Sequence, residues 1–291
     1  MDKLIGPKEA YFLPVEPPGH ILVAALLVVG LLVPSSAHAA KYFINASGAQ
    51  GDGSGSSSDN AADASTPDKY RTINQTQTAP GTVIVYAPGT YLVYPAYSMA
   101  NGVTHQGSGI DSTIIKLPDG ASSGTFTPMW LADKGTISNF KFVDATFDFN
   151  ANHQAWWFKG TGCSMAFAFS TADHCTIRRI KFINMGAKNE EAFPVFFVHA
   201  GSAKGVLKDN LIDSCIFTQP VAHGNTKGGL TCIMMSDAAP KITVDSTNIV
   251  SNCQFLKLKA PEYSDLPFTQ CCTCRNCPFS RVGVFLKAEM C

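Results

Sequence analysis

The sequence predicts an all-β fold in which successive segments stack as a parallel β-solenoid, and three observations predict it. A motif reading aliphatic, two polar, apolar, any residue, Phe occurs four times, as "TISNFKF", "TIRRIKF", "LIDSCIF" and "IVSNCQF". The copies end at Phe142, Phe182, Phe217 and Phe255, which are 40, 35 and 38 positions apart. A unit of that length cannot bury its own apolar face, so copies must lie on one another. Short apolar runs closed by glycine turns, such as "TVIVYAPGTYLV" from Thr82 to Val93, are the second observation. The third is a composition rich in Gly, Ser, Thr, Asn and aromatics, which favours strands and turns over helices.

Taken in chain order, the first element is an export signal over residues 1–39. Its core, "ILVAALLVVGLLV" from Ile21 to Val33, is thirteen apolar residues, short for a membrane span and ended by Pro34. "SSAHAA" follows, with small residues placed for cleavage after Ala39 or Ala40. Asp2, Glu9 and Glu16 fit a signal's leading region poorly, which leaves a membrane anchor as the alternative. The expected location is secreted, extracellular or periplasmic, with no membrane contact after cleavage.

Residues 40–67 read as an N-terminal strand and a flexible polar linker. The stretch "ASGAQGDGSGSSSDNAADASTP" has no periodicity, and Asp52 and Asp59 lack the positional pattern of a calcium loop. A short helix is expected around Ile73 to Thr78, and the solenoid is expected over 68–258. Within it, tight turns are placed at Ser138-Asn139, Arg178-Arg179, Asp213-Ser214 and Ser251-Asn252, since two residues between apolar positions break strict alternation. Upstream of each copy lies another apolar run: "MWLA", "AFAF", "VFFV" and "TCIMM". Stacking is expected to align Ile137, Ile177, Ile212 and Val250 in one ladder and the four Phe residues in another. An antiparallel sandwich would explain short strands but not one motif recurring at this spacing.

Residues 259–291 abandon the repeat. "CCTCRNCPFSRVGVFLKAEMC" reads as a disulfide cap, as half a zinc site on Cys274 and Cys277, or as the product of truncation or a shifted reading frame. Five of the ten cysteines lie there; of the scattered five, three sit in apolar strand contexts where free Cys serves as a small core residue. Net charge is zero with 15% charged residues, which argues against capture of nucleic acid or anionic lipid.

"TPDKYRTIN", "PGTVIVYAPGTYLV", "GVTHQGSGIDSTIIKL" and the later "TIxNxxF"-like units together resemble the pectate lyase-like superfamily of right-handed parallel β-helix proteins, from about Lys41 to Leu258. The resemblance implies a right-handed coil, an N-terminal segment that caps it, and action on extracellular polysaccharide. It does not choose the chemistry, because the superfamily includes lyases, hydrolases, epimerases, esterases and tailspikes. Arg179-Ile180-Lys181 matches one polygalacturonase motif, but the acidic motifs and Gly-His-Gly are missing, as is the arginine motif of the best-known pectate lyases. "ADHC" (Ala172 to Cys175) faintly resembles the Asp-His segment of those lyases.

Three loops carry the candidate chemistry. "DATFDFNANHQAWWFKGTGC" offers Asp148 as a cation ligand and His153, Trp156, Trp157 and Lys159 as substrate-binding groups; equally, one Trp plugs the core and Asp148 caps a turn. "NMGAKNEEA" offers Glu190 and Glu191 as cation ligands, the bland reading being solvated charge. His199 closes the strand "VFFVH", and "VAHGNTKGG" supplies His223, Asn225 and Lys227. β-Elimination from a uronate needs the carboxylate neutralised, a base at C5 and an acid at the leaving oxygen, whereas hydrolysis needs two flanking carboxyl groups. His and Lys outnumber close acidic pairs, so the expectation is a lyase on a pectin-like uronan. His199, Lys227 or His223 would be catalytic, calcium the cofactor and a monomer the active form. A glycoside hydrolase or a noncatalytic glycan binder on the same fold are the alternatives.

Overall fold

The computed structural model describes residues 40–94, 96–120, 129–154, 165–185, 195–197, 205–218, 233–235, 242–244, 247–256 and 273–275. They are mostly strand, and every strand pairing among them is parallel. Strands form one 13-stranded sheet, one 5-stranded sheet and a two-stranded pair, and neighbours in a sheet come from successive repeats. Among the described residues no helix is long and apolar enough to cross a membrane.

Three columns of paired residues build the core. The first runs Tyr42, Ile84, His105, Phe142, Ile177, Ile212, Val250 in register. The second runs Tyr91, Ile115, Phe147, Phe182, Phe217, Phe255. The third, in the 5-stranded sheet, runs Tyr97, Trp130, Phe167, Val195, Ile233. Almost every side chain described in these columns is fully buried.

The expected turns at Asn139, Arg179, Ser214 and Asn252 all have left-handed backbone, with φ between 50° and 56°. The register of the first copy differs from expectation. Ile137 pairs with Ala172 in the 5-stranded sheet, so Phe142 lies over Ile177, and Phe147 over Phe182. The reason is a second corner in each repeat: Asn139 and Asp144, His174 and Arg179, and Asp209 and Ser214 are left-handed pairs, each five residues apart. "TISNFKF" therefore spans the first corner of its repeat, whereas "TIRRIKF" spans the second.

The helix lies at Pro67–Thr76, earlier than expected. Thr66 caps it by accepting from Lys69 N, and Pro67 opens the first turn where a missing N–H costs nothing. Its Tyr70 is buried against Tyr86, Tyr91, Tyr97 and Trp130, closing that end of the core. The polar stretch before it is hydrogen-bonded to itself: Gln50 N donates to Ala61 O, and Gly55 N to Asn60 O. That closure brings Ala62–Asp63 alongside Lys41–Asn45.

At the first corner a buried asparagine column ties repeats together. Asn210 Nδ2 donates to Ala172 O (2.9 Å) and Asn248 Oδ1 (2.8 Å), while its Oδ1 accepts from Cys175 N (3.0 Å). Asn210→Leu keeps the volume but takes the acceptor from buried Cys175 N and a donor from Asn248 Oδ1, so its urea midpoint is expected to fall by the equivalent of roughly 2 kcal/mol. An unchanged midpoint would remove the column from the account of stability.

Candidate functional site

Parallel stacking gives the candidate loops a shared origin. The strands Lys141–Asp148, Thr176–Ile183 and Ile216–Thr218 lie on one another with Phe147, Phe182 and Phe217 in register, so the chain leaves each of them at the same edge. Neighbouring strands lie about 4.8 Å apart, so the ends of these strands line one edge. Asn150 and Asn184, both left-handed, mark this corner.

A polar cluster is built there. Asp148 is buried; its Oδ1 accepts from Asn150 N and from Asn184 Nδ2, both at 2.8 Å. Its other oxygen lies 4.0 Å from Lys116 Nζ, which stands in register with it one repeat earlier. Asn150 Nδ2 donates to Leu117 O (3.0 Å) and to Asp119 Oδ1 (2.7 Å). His153, in the short turn Ala151–His153, has its side chain 62% exposed, with Nδ1 3.7 Å from Asp119 Oδ2. Gln154 is buried; its Nε2 donates to Pro118 O (2.9 Å), and its Oε1 has no partner among the described residues.

This corner therefore offers an ammonium, an exposed imidazole beside a carboxylate, and a fixed amide. An imidazole so placed can exchange a proton with a bound ligand, and the ammonium can pair with an anionic group. Calcium takes six to eight oxygens. Asp148 has one oxygen occupied by two N–H donors and the other facing a cation, so the described residues do not fit a calcium cage here. The turn-capping role expected as its alternative is the one its hydrogen bonds display.

Of the sequence-predicted site residues, Asp148 and His153 are the two brought together at this corner. Trp156, Trp157, Lys159, Glu190, Glu191, His199, His223, Asn225 and Lys227 lie outside the described residues. Position 199 comes shortly after Val195–Phe197, which pairs with Phe167–Phe169 on one side and Ile233–Met235 on the other. Sequence reasoning missed Lys116 and Asp119. The available signal was the repeat itself, since Lys116 sits one unit before Asp148.

A second cluster occupies another corner, within "ADHC". His174 Nδ1 lies 2.5 Å from Asp173 Oδ1 and its Nε2 3.6 Å from Asp209 Oδ2. One ligand atom from each of the three lies within 4.8 Å of the others, a separation that a metal ion could bridge. Lys208 Nζ already stands 3.7 Å from Asp173 Oδ2 and offsets part of the negative charge.

A surface cavity of about 570 Å³ lies on the 5-stranded sheet, lined by residues that include Ser98, Asn101, Leu131 and Thr136. Thr136 Oγ1 and Asn101 Oδ1 are already engaged, by Thr171 Oγ1 (2.9 Å) and Ser138 N (2.8 Å).

No protein-family model matches the chain, and no curated protein matches it. Among solved structures, the chain is similar to the Azotobacter vinelandii mannuronan C-5 epimerase AlgE6 A-module, with 15% identity over 73% of this chain and a TM-score of 0.38. It is also similar to the AlgE4 A-module of the same organism, with 18% identity over 74% of this chain and a TM-score of 0.36. The chain spans 58% of the first module and 76% of the second.

Proposed function

We propose that the chain is an exported carbohydrate-active protein, a right-handed parallel β-helix with an N-terminal cap, that binds a pectin-like uronan and cleaves it by β-elimination. The proposed division is a signal over 1–39, an N-terminal strand and polar segment over 40–67, the β-helix over 68–258 and an atypical tail over 259–291. The observation that carries the reading is the common edge at which the three candidate loops begin, beside Lys116, Asp119, Asp148 and His153. A polysaccharide is a long polar ribbon, and an edge that repeats along a stack offers it contacts at successive sugars.

In this reading Lys116 pairs with a uronate carboxylate, which acidifies the C5 proton. His199 or Lys227 removes that proton, the C4–O4 bond breaks as the C4–C5 double bond forms, and His223 protonates the departing oxygen. Trp156 and Trp157 stack on sugar rings, while His153, Lys159 and Asn225 hold hydroxyl and carboxylate groups. Glu190 and Glu191 are the proposed calcium ligands; Asp148, whose oxygens face two N–H donors and the Lys116 ammonium, is not among them.

The test incubates the purified mature chain with polygalacturonate, alginate and a neutral glucan, reading the ultraviolet absorbance of unsaturated uronate beside new reducing ends. The expected result is absorbance on a uronan that falls about 10²–10⁴-fold when the base is replaced, His199→Ala and Lys227→Ala being compared. Reducing ends without absorbance would make the protein a hydrolase, and retention on the polymer without product would make it a binder. Full lyase activity in both variants would overturn the base assignment alone.

A further inference from the structure

We infer that Cys215 and Cys253 are placed to close a disulfide that clamps two successive repeats together. This does not depend on the carbohydrate reading. Each cysteine follows directly on a left-handed corner, Ser214 (φ 53°) in one repeat and Asn252 (φ 52°) in the next. The residues on either side are in register, Asp213 on Ser251 and Ile216 on Gln254, and Gln254 N donates to Cys215 O at 2.8 Å. Equal lengths between fixed registers put Cys253 directly over Cys215. Stacked strands lie about 4.8 Å apart, inside the Cα separation of about 4.4–6.8 Å that a disulfide spans.

The side chains agree with the backbone. Both thiols are free, and both residues are buried. Cys215 Sγ lies 3.4 Å from Asp213 O and 3.6 Å from Ile177 O; Cys253 Sγ lies 3.2 Å from Ser251 O and 3.7 Å from Ile212 O. Each sulfur is within reach of a carbonyl of the preceding repeat as well as its own, and for Cys253 that preceding repeat carries Cys215. The Cys215 thiol first, and burial second, push the Cys253 thiol well above its ordinary range. Cys253 is therefore held as a thiol in the folded protein and is slow to react. Cys175, the third buried cysteine among the described residues, contrasts with them: its column neighbours are Phe140 and Asn210.

The oxidant we name is glutathione disulfide. The Cys215 thiolate attacks one of its sulfurs, the S–S bond breaks and one glutathione leaves. The Cys253 thiolate then attacks Cys215 Sγ and releases the second glutathione. The protein gives up two protons and two electrons, and the electrons reduce glutathione disulfide. Because both groups are buried in the finished stack, the exchange belongs to folding, before the second repeat closes on the first.

The test refolds the full chain in a glutathione and glutathione disulfide buffer, blocks remaining thiols with iodoacetamide in denaturant, and maps the digest by mass. The expected product is a cross-linked peptide joining Cys215 to Cys253, two hydrogens lighter than the two thiol peptides. Dithiothreitol is expected to lower the melting temperature by roughly 5–10 °C, because the bond closes a 38-residue span between the two positions. Cys253→Ala is expected to keep the far-ultraviolet signal of the strands, to melt like the reduced protein and to leave Cys215 alkylated. Recovery of both cysteines carrying the alkyl group, or of either joined to another cysteine, overturns the inference.

Discussion

Lowering the pH from 6.5 to 4 is expected to cost the protein roughly 3 kcal/mol of folding stability through one residue, His105. Its imidazole is buried, with Nδ1 2.6 Å from Tyr86 Oη and the ring stacked on Phe142 at 5.1 Å and 1°. Phe140 and Trp130 pack around it, and Tyr86 Oη in turn bonds Tyr70 Oη. Burial pushes this imidazole down to about 3 from 6.5. The unfolded chain therefore takes up a proton near pH 6.5, while the folded chain refuses it until near pH 3. The stabilisation is present above 6.5 and is lost as pH falls towards 3, at about 1.4 kcal/mol per pH unit. Asp63 is held down to about 2, first by the Lys69 ammonium, and Asp213 is also lowered, chiefly by hydrogen bonds from Ser251 and Asn252 that outweigh its burial. Those carboxylates act below their ordinary value of 3.8, under the window from 6.5 to 4. Urea midpoints at pH 7, 5.5 and 4.5 measure the slope, and His105→Phe, which keeps the stack on Phe142, is expected to flatten it. The same slope in wild type and variant would remove His105 from the explanation.

Phe182→Ala is expected to be the most damaging single substitution proposed, at about 3–5 kcal/mol. The ring is fully buried, stacked on Phe217 at 4.9 Å and 17°, with Phe147 at 5.8 Å and Phe149 at 6.5 Å. Truncation opens a cavity between repeats, and the second column cannot collapse into it without breaking the register on either side. Lys181 is the internal control. It is next in sequence but points outward, and its 2.8 Å ion pair with Asp111 is a surface contact worth at most about 1 kcal/mol. Urea denaturation of Phe182→Ala and Lys181→Ala separates the two, and similar losses would mean that Phe182 does not face the core.

How much of this was legible in the sequence varies with the range of the interaction. The turns at Asn139, Arg179, Ser214 and Asn252 were readable because a left-handed corner is a property of one residue and its neighbours. Cys175 and Cys253 have polar residues on both sides, so their burial became legible only from the stack. The helix start was present in Thr66-Pro67-Asp68 but obscured by the polar residues that follow. His105 gave no local sign of burial; only its place between Ile84 and Phe142 puts it in the core. At the candidate site, Asp148 and His153 were read from one loop. Lys116 and Asp119 belong to the previous repeat and become their neighbours only after stacking.

From the sequence alone came the existence of a repeat, its approximate length, one corner of each copy and inward aromatic positions, because each is written in a few consecutive residues. Tertiary structure alone decided how the first copy lies on the others: Phe147 rather than Phe142 over Phe182, and Lys116 beside Asp148. The physical reason is that a parallel stack pairs residues 18 to 42 positions apart. Its register is chosen by the summed fit of three columns and two corners at once, and no single motif contains that sum.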